Sequence, residues 1–199
     1  MNQFNDLSAT RVGTTGHAGR PTGQAGRSGL GPVAGALDER EAQALDGGTI
    51  DLIKRLGLLT GWRCADVGAG GATVARWLAA RIRRPGRVVA ADADTRSLDR
   101  LGCDGLEIRQ HDITTGPLER EAYDFVHTRL LLTRVPDRPR TVEHLVASVR
   151  PGGWLLAEDY DLGTGGLELA GLQEVEVAAR RVDGRLMVAA WGKKAARFV

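Results

Sequence analysis

The sequence predicts an α/β fold: a doubly wound, mostly parallel seven-stranded sheet that ends in an antiparallel C-terminal hairpin. Three observations carry this. Trp62-Arg63-Cys64-Ala65-Asp66-Val67 is a short apolar run that breaks at Gly68-Ala69-Gly70-Gly71 and passes into a helical pattern from Thr73 to Ile82. Apolar or alternating runs then recur at 87–92, 106–110, 123–129 and 154–158, separated by turn signals or helical spacing. Finally, Asp183-Gly184 stands as a hairpin turn between Val175-to-Ala179 and Leu186-to-Trp191.

Residues 1–35 are poor in large hydrophobics and rich in Gly, Ser and Thr, with Arg11, Arg20 and Arg27 spread along them. Such a segment cannot bury enough surface to offset its ordering entropy, so it is expected to be a disordered tail before a folded domain over 36–199. Asp38 can cap a helix reaching about Leu45, Gly47-Gly48 is expected to break it, and Thr49 can cap a second helix carrying Ile50, Ile53, Leu56 and Leu59. The strand over 62–67 follows. Gly68 and Gly70 let the chain turn sharply and leave bare main chain for a ligand, and the helix from Thr73 offers unpaired N–H groups.

Arg84-Pro85-Gly86 turns into Arg87-Val88-Val89-Ala90-Ala91-Asp92, whose continuous apolar run suits a parallel strand buried on both faces. Asp92 closes that strand where an acid can accept from both hydroxyls of a ribose, and Asp94 is a second candidate. Thr95 to Leu101 is expected to be a short helix. Leu106 to Gln110 alternates as a third strand, followed by His111-Asp112-Ile113, and Tyr123 to Arg129 is the fourth. Val142, Leu145, Val146 and Val149 mark a helix over 138–150, and Pro151-Gly152-Gly153 turns into the fifth strand, Trp154 to Glu158. Leu162 to Gly171 is short for a right-handed crossover to the sixth strand.

Composition narrows the function. Net charge is +2 with the basic residues scattered, which argues against nucleic acid as a partner. No apolar run approaches a membrane span, and Cys64 and Cys103 make neither a metal-ligand spacing nor a disulfide framework, so a cytoplasmic location and no metal are expected. Asp66, two positions before the first glycine, would repel a phosphate and suit a ligand carrying ammonium or sulfonium. Thr73 stands where a dinucleotide fingerprint wants glycine.

The Asp-x-Gly-x-Gly run at 66–70 resembles the first motif of the class I S-adenosylmethionine-dependent methyltransferases. The Val-Val-Ala-Ala-Asp strand, the Tyr-Asp-Phe-Val-His strand start and Arg-Pro-Gly-Gly before the last apolar strand follow in the family's order, so the resemblance covers about residues 49–161. It is nearest to bacterial small-molecule enzymes and implies a Rossmann-like methyltransferase fold, S-adenosyl-L-methionine as cofactor and a small-molecule acceptor. Carried over position by position, it implies cofactor contacts from Asp66, Gly68, Ala69, Gly70, Asp92, Ala93, Asp112, Ile113 and His127. Asp112 would accept from the adenine amino group, against the alternative of a turn-forming Asp, and Ile113 would pack on the ring. Ala72 departs from the family's third glycine.

Methyl transfer from a sulfonium is an in-line displacement that needs no metal or covalent intermediate. An acceptor that must lose a proton would find its candidate base in His127, against the alternative of a structural histidine. Tyr160 and Asp161, with Asp159, follow the fifth strand and could orient the acceptor. The shortened end predicts an open acceptor site covered mainly by the helices of 38–59. Two other readings remain: a non-catalytic or degenerate S-adenosylmethionine-binding protein, motivated by that end, and a nicotinamide-dependent oxidoreductase, disfavoured by Asp66 and Thr73.

Overall fold

Strands rich in β-branched and small apolar residues build a single eight-stranded sheet in the computed structural model of the protein, which describes residues 10–11, 39–58, 60–98, 103–160, 172–182 and 185–196. In chain order the elements are β1 (Thr10–Arg11), α1 (Glu39–Arg55), β2 (Arg63–Val67), α2 (Thr73–Arg81), β3 (Arg87–Asp92), β4 (Leu106–Gln110), β5 (Tyr123–Arg129), α3 (Arg138–Ser148), β6 (Val149–Tyr160), β7 (Leu172–Val182) and β8 (Arg185–Lys194). Asp38, Asp161, the crossover over 162–171, the Asp183-Gly184 turn and all of the N-terminal tail except β1 lie outside the described residues.

The sheet order is β1-β7-β8-β6-β5-β2-β3-β4. β4, β3, β2, β5 and β6 are mutually parallel, and β8 runs antiparallel to both β6 and β7. The order reverses between β2 and β5, so their carboxyl ends open the crevice in which ligands of doubly wound sheets bind. α1 and α2 cover one face over Cys64, Val88, Ala90, Phe125 and Leu156. α3 covers the other over Ala65, Val126, Leu155 and Val188.

Three local expectations need correction. Gly47-Gly48 does not divide the N-terminal helix: α1 runs unbroken through both glycines. Each glycine costs about 1 kcal/mol in a helix interior, which the burial of Leu45, Leu52 and Ile53 on the same helix offsets. Thr49 is therefore not a cap; its hydroxyl bonds back to the Leu45 carbonyl at 3.3 Å. Second, the described part of the segment after β3, Thr95–Leu98, is a turn rather than helix, because the Asp94 carboxylate takes the Arg96 N–H at 3.1 Å and competes with helical pairing. Third, Pro151-Gly152-Gly153 is absorbed into β6 as an irregularity, Tyr123 pairing with Val149 and Phe125 with Trp154. Gly153 is needed there, since a Cβ would lie 2.8 Å from the Asp124 carbonyl oxygen. At the far edge, β1 pairs antiparallel with β7, which gives the expected disordered tail one ordered point.

Candidate functional site

The glycine turn between β2 and α2 sets the site. Gly68 and Gly70 have φ of 72° and 52°, and a Cβ on Gly68 would meet Leu131 at 3.2 Å. The turn is tied to β3 by Gly68 and Ala69 N–H groups donating to the Ala91 carbonyl at 2.8 and 3.2 Å. Ala72 also takes a left-handed conformation, φ 52°, while fully buried. The family's third glycine would adopt that conformation freely, so the alanine costs about 1 kcal/mol of backbone strain. Ala72 caps α2 with no side-chain hydrogen bond of its own, and the Asp66 carboxylate takes the Ala75 N–H of the first turn at 3.1 Å.

Asp92 ends β3 beside this turn. One carboxylate oxygen accepts from Gly70 N–H at 3.0 Å and the other from Asp94 N–H at 3.1 Å, so the acid is aimed across the crevice before any ligand arrives. Asp94 is exposed and turned to Arg96, which holds its carboxyl at about 2 by hydrogen bonding. Ala93 is exposed, with its carbonyl accepting from Gln110 Nε2 at 3.1 Å. Asp112 is exposed and accepts from the Thr114 N–H and hydroxyl at 2.9 and 2.7 Å; these bonds lower its pKa. Ile113, by contrast, is 3% exposed and packs into the α3-side core, which leaves little of it to meet an adenine ring.

Asp66 and His127 sit on adjacent parallel strands in direct register. Asp66 does not face the crevice. It is buried, with one oxygen 2.7 Å from His127 Nδ1 and the other accepting from Ala75 N–H of α2 at 3.1 Å. His127 Nε2 lies 3.3 Å from Glu158 of β6. Burial opposes the charged imidazole, but the Asp66 and Glu158 carboxylates outweigh it and hold the His127 pKa up at about 9. Burial likewise pushes Glu158 up, and its contacts with His127, Thr49 and Arg129 prevail and bring it down. His127 is thus a buried imidazolium with both ring nitrogens engaged. That geometry corrects its assignment as a base and as a direct cofactor contact, because no nitrogen faces the crevice.

The polar chain continues to α1. Arg129, at the end of β5, donates to Asp46 at 2.8 Å and to Thr49 Oγ1 at 3.0 Å, and Thr73 at the start of α2 donates to the same Asp46 oxygen at 2.9 Å. One acid of α1 therefore ties the helix to both the glycine turn and the strand tips. Asp46 and Glu158 were not singled out from the sequence, and Thr49 only as a helix cap; Glu158 sits two residues beyond Leu156, the register partner of His127, which places it on the same face.

The acceptor side differs from expectation. Tyr160 is 4% exposed, packed with Leu45, Leu130 and Met187, and its ring carries the Arg185 guanidinium at 3.9 Å. Asp159 is fully buried and accepts from the Thr133 N–H and hydroxyl at 2.9 and 2.8 Å, fixing the loop after β5. Neither is presented to an acceptor; α1, from the segment expected to cover this side, is tied to the strand tips through Asp46 and Thr49. Among the described residues no His/Cys/Asp/Glu group could hold a metal ion and no helix is long and apolar enough to cross a membrane.

Residues 65–157 match the sequence profile of a family described as a methyltransferase domain. A methyltransferase of Strobilurus tenacellus is 40% identical over 45 residues, 23% of this chain and 16% of that protein. Among solved structures, a Haemonchus contortus N-methyltransferase in complex with phosphomonomethylethanolamine and S-adenosylhomocysteine superposes with a TM-score of 0.63 at 16% identity, over 75% of this chain and 52% of that one. An S-adenosylmethionine-dependent methyltransferase from Aquifex aeolicus does so with a TM-score of 0.55 at 19% identity, over 77% and 97%. The chain thus spans about half of the Haemonchus protein and a small part of the Strobilurus one, and the structural likeness speaks for the fold.

Proposed function

We infer, from a chain whose residues 65–157 match a methyltransferase domain, that the protein transfers a methyl group from S-adenosyl-L-methionine to a small-molecule acceptor. The observation that carries the reading is the glycine turn with Asp92 already aimed across it, at the switch point of the sheet. The residues present suit the cofactor: a turn that a Cβ on Gly68 would crowd, bare main chain at Gly68–Gly70, and an acid for the ribose. When bound, S-adenosylmethionine supplies an electrophilic methyl on sulfonium.

In this reading the Gly68–Gly70 main chain and the start of α2 hold the amino-acid end, Asp92 orients the ribose, and Asp112 receives the adenine edge. With both carboxylates ionised, Asp66, His127 and Glu158 sum to one negative charge beneath the turn, which favours a cationic ligand. Since His127 and Asp159 are spent on internal contacts, the chain's contribution to rate is positioning and water exclusion by α1. The same proposal places the protein in the cytoplasm, supported by two free cysteines.

The test is calorimetric titration of the full chain with S-adenosylmethionine, S-adenosylhomocysteine and a nicotinamide cofactor, followed by methyl transfer from labelled cofactor to cell-extract small molecules. Micromolar binding of the first two and labelled product are expected. Binding of the nicotinamide cofactor alone would overturn the reading, and cofactor binding without transfer to any acceptor would favour the non-catalytic alternative.

A further inference from the structure

The sheet face that α1 and α2 cover runs on past α1 over β6, β8 and β7, and a cleft of about 220 Å³ opens beside the end of α1. Its sheet wall follows from alternation and register. Trp154 lies two residues before Leu156, Leu156 pairs with Trp191, and Trp191 pairs with Glu176, so Trp154, Trp191 and Glu176 stand on one face. Leu52 and Arg55 in the last turn of α1, with Leu56 just after it, supply the helix side.

The polar groups of this cleft are unspent. The Arg55 and Glu176 side chains border the same recess, yet neither makes an ion pair or hydrogen bond with the other or with any other described residue. The Trp154 and Trp191 indole N–H groups likewise find no acceptor among the described residues, although Trp191 is only 9% exposed. The Lys193 ammonium stands over the Trp154 ring at 5.7 Å and adds a second cation at that border.

We propose that this cleft binds a free zwitterionic amino acid with an aromatic side chain. Both ligand charges are needed. A carboxylate meets Arg55, Lys193 and the indole donors, but a ligand with no ammonium strips water from the Glu176 carboxylate and offers it no donor in return. An ammonium alone meets Glu176 and leaves two cations facing it. The indole rings with Leu52 and Leu56 take the aromatic side chain. At about 220 Å³ the cleft is smaller than the roughly 300–1,000 Å³ of drug-sized sites, which suits one compact molecule. Arg55 lies about 14 Å along α1 from Asp46, which holds the glycine turn, so an occupant leaves the crevice open.

The experiment follows tryptophan fluorescence of the full chain during titration with L-phenylalanine. Two analogues run beside it: 3-phenylpropionate, which lacks the ammonium, and 2-phenylethylamine, which lacks the carboxylate. L-phenylalanine should saturate with a roughly millimolar Kd, about tenfold or more below that of either analogue, and saturating S-adenosylhomocysteine should leave its binding unchanged. Glu176→Gln should weaken L-phenylalanine about tenfold and tighten 3-phenylpropionate; Arg55→Gln should weaken L-phenylalanine about tenfold and tighten 2-phenylethylamine. Neither side chain has a partner to lose, so both variants should fold, which far-UV circular dichroism checks. No saturation, an analogue that binds as tightly as the amino acid, displacement by S-adenosylhomocysteine, or an unchanged L-phenylalanine affinity in either folded variant would overturn the proposal.

Discussion

Replacing His127 by Gln isolates the buried charge at the centre of the sheet. In the folded chain His127 is 1% exposed between Asp66 and Glu158, with a pKa of about 9 against 6.5 for a free imidazole. A proton bound that much more tightly in the folded state stabilises it by about 3 kcal/mol below the unfolded pKa. Because the folded pKa is the higher one, this contribution is complete below about pH 6.5 and is lost as pH rises through about 9. The groups facing the imidazole are the Asp66 and Glu158 carboxylates, the Phe125 ring, and Arg129 acting through Glu158. In His127→Gln two buried carboxylates lose their cation. The variant should lose about 3–5 kcal/mol at pH 7 and regain part of it on acidification, as one carboxyl takes up a proton. Urea unfolding from pH 6 to 10 checks both. The wild type should weaken steeply above pH 7 and the variant should not; parallel profiles, or a His127 ring titrating near 6.5 by NMR, would refute the charged triad.

Asp92→Ala should weaken S-adenosylhomocysteine binding by about 2–4 kcal/mol, roughly 30- to 1000-fold, by removing charge-assisted bonds and the restraint on Gly70, whereas Asp94→Ala should cost far less; calorimetry separates them. Arg129→Ala leaves Asp46 and Glu158 without their shared neighbour and should destabilise the fold by about 2–4 kcal/mol in denaturant unfolding, with the larger loss of hydrogen-exchange protection in α1. Gly47→Ala, with nothing within 4 Å of the new Cβ, should raise stability by about 0.5–1 kcal/mol, while Gly153→Ala should lower it by about 1–3 kcal/mol; a thermal melt of each reads both signs.

β3, β4 and β5 fell where the sequence placed them because each is a run of apolar or alternating residues between unambiguous turns. The glycine turn and Asp92 were legible for the same reason: conformation and charge there are set by neighbours in sequence. The triad was not. Asp66, His127 and Glu158 meet only through the register of three strands, and a one-residue slip would separate them. Gly47-Gly48 misled because local propensity argues for a break, while the burial that overrides it comes from strands far along the chain. Tyr160 and Asp159 do close the fifth of the expected strands, but whether a side chain there faces a ligand or the loop beside it depends on packing that no local pattern records.

β8 is made after β7 yet lies between β7 and β6. A chain emerging from the ribosome therefore completes β6 with one edge open, and it then makes β7 with only the two-residue β1 beside it, until residues 185–194 appear. During that interval β6 offers unpaired main chain along a strand whose last six residues, Leu155 to Tyr160, are all buried in the finished molecule. Such an edge invites pairing with a neighbouring nascent chain. The late arrival of one interior strand makes synthesis the period of greatest exposure to aggregation, and any change that slows the chain's passage through residues 160–190 should lower its soluble yield before it alters the folded protein.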